Sequence, residues 1–125
     1  MTPTASGRAT ILAVDDEPVI RELMARFLEP EGYEVVGAGC VAEALAILAA
    51  RRIQLILLDL HMPGAQDGED LLFALRDQGN DVPVVVVSGW IDEDSLANRP
   101  ECVCALLQKP VEGAKLVAVV NSILG

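Results

Sequence analysis

Five residues of this 125-residue chain carry side chains suited to one reaction, and each stands at or near the end of a short apolar run. Asp15 and Asp16 follow ATILAV (9–14), Asp59 falls late in IQLILLDL (53–60), Ser88 follows VPVVVV (82–87), and Lys109 follows VCALLQ (103–108). Three carboxylates meeting in one shallow site repel one another and raise each other's pKa unless a cation lies among them. Hard oxygen donors suit Mg²⁺, which keeps part of its water shell and commonly bridges to phosphate. Lys109 adds a second positive charge and Ser88 a hydroxyl, both able to hold oxygens of a phosphoryl group. Positioning and charge neutralisation are what phosphoryl transfer needs. Asp59 can supply the attack, because a carboxylate nucleophile gives an acyl phosphate.

The runs that end in these groups, together with YEVVGA (33–38), are short, rich in β-branched or aliphatic residues, and bounded by Gly, Pro or Asp. Near-continuous apolar runs of this length suit parallel strands covered on both faces. Helical patterns lie between them. Residues 18–30 place Val19, Ile20, Leu23, Met24, Phe27 and Leu28 on one stripe, open with Pro18, and stop at Gly32. Residues 41–52 put Val41, Leu45 and Leu48 on one face and finish with Arg51 and Arg52, which complement a helix C-terminus. Residues 67–78 and 111–124 carry similar stripes, while 90–101 is poor in large aliphatics and interrupted by Pro100, so at most about two turns are expected there. Alternating strands and helices imply an α/β domain with a parallel sheet and right-handed crossovers. In such sheets ligands gather beyond the carboxyl ends of the strands, which is where the five residues fall.

Composition narrows the remaining classes. The length fits one domain, with residues 9–125 folded and 1–8 a flexible lead, and 52% hydrophobic residues suffice for a core. A net charge of −10 disfavours direct binding to a phosphate backbone. No apolar run approaches the roughly 20 residues of a membrane span, and the first ten residues do not form a secretory signal. Cys40, Cys102 and Cys104 show no metal-type spacing and read as small apolar residues in a reducing cytoplasm.

AVDDEP, LILLDLHMPG, VVVVSG and LLQKP, in this order, resemble the receiver domain of bacterial two-component response regulators, over roughly residues 10 to 124. The resemblance implies a flavodoxin-like (βα)5 sandwich with strand order 2-1-3-4-5. It also implies that Asp59 is the phosphoacceptor and that Asp16, Asp59 and the backbone carbonyl of His61 ligate Mg²⁺, with Asp15 acting through a metal-bound water. Ser88 would bond a phosphoryl oxygen, Lys109 would pair with the phosphate, and the Lys109–Pro110 bond would be cis, which an X–Pro bond permits. The side chains of His61 and Trp90 would flank the phosphoryl group and restrict attacking water. Leu106 departs from the pattern, since the family often has an aromatic there whose inward swing reports phosphorylation. The implied partners are a histidine kinase or histidine phosphotransfer domain, which supplies the phosphoryl group, and a downstream output domain or protein. The end at Gly125, where the last helix should stop, suits a stand-alone cytoplasmic receiver or one cut from a larger regulator or hybrid kinase.

Taken singly, each residue has a commonplace role: Asp15 and Asp16 as helix caps, Asp59 and Ser88 as turn residues, Lys109 as a surface charge. Two other functions share the chemistry. A Mg²⁺-dependent phosphatase with an aspartyl nucleophile would normally need a second acid near Asp59, where His61 stands, and a cap domain. An interaction module of the same fold would not need the acids, hydroxyl and lysine together.

Overall fold

The structure is a computed structural model and describes residues 9–60, 68–89 and 103–125. The segments containing His61, Trp90, Pro100 and Cys102, and the expected lead at 1–8, lie outside the described residues. Strands β1 (Thr10–Val14), β2 (Glu34–Ala38), β3 (Leu55–Leu58), β4 (Val84–Ser88) and β5 (Val103–Gln108) form one parallel sheet in the order β2-β1-β3-β4-β5. Helices α1 (Pro18–Leu28), α2 (Val41–Ala50), α3 (Gly68–Asp77) and α4 (Gly113–Leu124) cover it. The flavodoxin-like order expected of the chain is therefore present. None of these helices is long and apolar enough to cross a membrane.

The continuous apolar strands divide by strand alternation into two cores. Ile11, Ala13, Leu55, Leu57, Val85 and Val87 pack against Met24 and Leu28 of α1 and Leu116 and Val120 of α4. Leu12, Val14, Ile56, Leu58, Val84 and Val86 face Val41 and Ala44 of α2 and Leu71, Leu72 and Leu75 of α3. Successive side chains of a strand point to opposite faces, so a strand buried on both sides must be apolar throughout. Asp15 and Asp59 continue the odd-numbered series and so belong to the α1/α4 face.

Lys109 reaches the same face through an irregularity. The β4–β5 pairing passes from Val84↔Val103 to Val85↔Ala105, which leaves Cys104 as an extra, exposed residue. Without that bulge every later side chain of β5 would turn to the opposite face. With it, Ala105 and Leu107 join the α1/α4 core, and Lys109 follows in step.

Three element ends differ from expectation. Val19 is 72% exposed rather than part of the buried stripe. It lies about 140° around the helix from Met24, at 3.6 residues per turn. The first helix gives way after Leu28 to a 3-10 turn, Glu29–Glu31, which ends at Gly32 in the left-handed region (φ 97°). Helix α2 stops at Ala50, and Arg51 takes an extended conformation. Its side chain pairs with Glu34 at 2.8 Å, leaving it no role as a basic last turn. Cys40 and Cys104 are exposed, so neither fills the core.

Candidate functional site

Each acid is aimed by the strand that precedes it. Asp15 N–H donates to the Ala38 carbonyl (3.0 Å), extending the β1–β2 ladder one residue past Val14, and Asp59 N–H donates to the Val14 carbonyl (2.9 Å). Lys109 N–H donates to the Ser88 carbonyl (2.8 Å) in the same way. The sheet thus carries the backbones of Asp15, Asp59 and Lys109 to one rim before any side-chain contact forms.

At that rim the Lys109 ammonium contacts Asp15 Oδ2 at 2.8 Å and Asp59 Oδ2 at 3.2 Å, with Glu17 Oε1 further out at 3.8 Å. Asp15 and Asp59 are buried, at 1% and 4% exposure. Asp15 Oδ2 has no well-aligned hydrogen bond among the described residues, and its compensation is the close charge of Lys109. Burial by itself lowers the Lys109 pKa, but its close contacts with the carboxylates of Asp15, then of Asp59, outweigh it and leave the value above the ordinary 10.5. The side chain stays cationic at neutral pH. A surface role for Lys109 is ruled out, since its side chain is only 16% exposed.

The acids are not helix caps. The N-cap of α1 is Glu17, whose side chain makes no capping bond, while Asp15 Oδ1 instead accepts from the Glu17 N–H at 2.9 Å. Carboxylate oxygens of Asp15, Asp16 and Glu17 lie within 4.8 Å of one another. Glu17 was not singled out from the sequence, although its place beside two acids was the available signal. A cluster of hard oxygens containing one buried, under-bonded carboxylate oxygen fits a divalent cation.

Ser88 is fully buried at the end of β4. The Leu58↔Val86 pairing puts it one step beyond the level of Asp59, on the α2/α3 face that Val84 and Val86 share. Leu106 pairs with Val86 and is partly buried against that same core. The Lys109–Pro110 bond is cis, as expected. His61 and Trp90 lie outside the described residues.

Comparison with known proteins agrees with this geometry. The family model described as the response regulator receiver domain matches residues 11–121. The nitrogen assimilation regulatory protein NtrX of Azorhizobium caulinodans is 39% identical over 91% of this chain, which corresponds to 26% of NtrX. The phosphate regulon regulator PhoB of Pseudomonas aeruginosa is 35% identical over 92% of the chain and 51% of PhoB. The chain thus spans about a quarter to a half of these curated relatives. Among solved structures, the receiver domain protein of Methanospirillum hungatei superposes with a TM-score of 0.84 at 27% identity, covering 94% of each chain. The response regulator TrrA of Thermotoga maritima, solved in complex with Mg²⁺ and BeF, does so at 0.80 and 28% identity, covering 92% of this chain and 98% of its own. The chain belongs to the response regulator receiver domain family.

Proposed function

We propose that this domain accepts a phosphoryl group on Asp59 from a phosphohistidine of a histidine kinase or phosphotransfer domain. The observation that carries the reading is one ammonium, Lys109 Nζ, within 2.8 Å of Asp15 and 3.2 Å of Asp59, groups drawn from three separate strands. A carboxylate oxygen of Asp59 forms the new bond to phosphorus while the bond from phosphorus to the donor's imidazole nitrogen breaks and its electron pair returns to the ring. Lys109 holds the oxygens of the group in transit, and the Ser88 hydroxyl can bond one of them once transfer is complete. Transfer also replaces the buried Asp59 carboxylate with an acyl phosphate of larger charge and more acceptor atoms, which biases a surface toward an output domain or protein.

Asp15, Asp16 and Asp59, with the His61 carbonyl, would hold Mg²⁺, and Glu17 is near enough to Asp15 and Asp16 to assist. When bound, the ion neutralises charge on the phosphoryl oxygens. The TrrA complex with Mg²⁺ and BeF supports that assignment by likeness. Incubation with acetyl phosphate and Mg²⁺, followed by intact-mass measurement, tests the reading. One added phosphoryl group is expected on the intact chain and none on Asp59→Asn; turnover of added phosphoesters without a mass gain would point to a phosphatase instead.

A further inference from the structure

Arg21, on the second turn of α1, leaves its own helix to bond the backbone at the site. Its Nη1 donates to the Asp15 carbonyl at 2.6 Å. To get there the side chain lies along the end of β2, in a trough that exists because Gly37 and Gly39 have no side chains. A Cβ at Gly37 would sit 3.2 Å from Arg21 Cδ and 3.3 Å from Nε, and one at Gly39 would sit 3.1 Å from Nη1. These approaches are tighter than most side-chain contacts, so the arginine would have to shift by a few tenths of an ångström, and neither glycine has a positive φ that would otherwise call for it. Glu43 bounds the far side by accepting from the Gly39 N–H at 2.7 Å. With Asp15 N–H bound to Ala38 and its Oδ1 bound to Glu17 N–H, the Arg21 contact completes the set that fixes this residue. What remains for Oδ2 is charge.

We propose that Arg21 is a positioning residue for the acidic pair, seated by Gly37 and Gly39 so that Asp15 and Asp16 present their carboxylates to the cation in a fixed orientation. The inference rests on the metal-binding reading above, and its sign separates it from simple electrostatics. A guanidinium near a divalent site repels the ion, so removing a mere charge would tighten Mg²⁺ binding, whereas removing a positioning group loosens it.

The experiment is calorimetric titration of the whole chain with MgCl₂, with thermal melting of each variant in the absence of metal. Arg21→Ala is expected to weaken Mg²⁺ about tenfold, the lower end of what loss of a group orienting a metal ligand typically does. Arg21→Lys, which keeps the charge and one donor, is expected to recover part of that loss. Gly37→Val keeps every charge and suits a strand better than glycine, so the melting temperature should hold or rise while Mg²⁺ affinity falls. In the Arg21→Ala background Gly37→Val should add nothing, because the side chain it displaces is gone. Should Arg21→Ala fail to fold, Gly37→Val alone decides the matter. Unchanged or tighter Mg²⁺ binding in either single variant, with the intact chain binding normally, would overturn the inference and leave the phosphoacceptor reading standing. An intact chain that binds no Mg²⁺ would overturn both.

Discussion

The two ends of the parallel sheet treat polar groups in opposite ways. At the amino end, Gln54 Oε1 accepts from the Thr10 N–H at 2.7 Å, the Thr10 hydroxyl reaches Glu34, and Glu34 pairs with an Arg51 that is itself partly exposed. The Glu34–Arg51 pair there has both a partner and a solvent path. At the carboxyl end, among the described residues, two buried carboxylates and a third exposed one converge on the Lys109 ammonium, so charge is gathered where water is scarce. Buried charge is stabilising only when fully compensated. A rim that gathers buried carboxylates around one lysine therefore depends on that lysine, whereas the amino end closes the fold.

Substitutions that remove that chemistry should have the largest effect. Asp59→Asn abolishes phosphoryl incorporation from a small-molecule donor, while Arg51→Met leaves it unchanged; intact mass reads both. Next comes Lys109→Met, which strands two buried carboxylates and should cost about 3–5 kcal/mol in urea unfolding near neutral pH. A variant as stable as the parent at neutral pH would show that the rim is compensated some other way.

Alkaline titration gives a smaller effect. The folded-state pKa of Lys109 is raised above 10.5, so the stability from its ion pairs is complete below about that pH and is lost as pH climbs through the folded value. Tyr33 acts in the same direction: burial, then the charge of Glu31, holds its phenol above the ordinary 10.0. Melting temperature should fall steeply above about pH 10, and in Lys109→Met the fall should be shallower. The smallest change belongs to the amino end. Arg51→Met breaks a pair whose side chains are 41% and 46% exposed and should alter unfolding free energy by about 0–1 kcal/mol. A larger loss would mean that this end also depends on its charge.

Much of the contrast was legible in the sequence. Continuous apolar runs signalled strands buried on both faces, and the acid, hydroxyl or lysine at four of their ends pointed to the active rim. The same continuity concealed which face each residue takes, because a strand apolar on both sides has no alternation to read. Lys109 shows the consequence: its approach to Asp15 and Asp59 depends on one extra residue, Cys104, that no local pattern announces. Val19 was misplaced because an apolar residue on a helix's first turn fits a stripe on paper while projecting off the packed face. Arg51 looked like a helix-ending cation because its partner, Glu34, is distant in sequence. Arg21 was invisible for a related reason: it acts on a backbone carbonyl through a trough cut by two glycines, and absent side chains leave little trace in a pattern of residue types.

Reduction of the phosphorylated chain with borohydride tests the central claim most directly. An acyl phosphate on aspartate is reduced to the alcohol, so peptide sequencing by mass spectrometry should find homoserine at position 59 and unchanged aspartate at 15 and 16. Homoserine at either of those two positions, or phosphate retained on Ser88 with position 59 intact, would contradict the assignment of Asp59 as the acceptor.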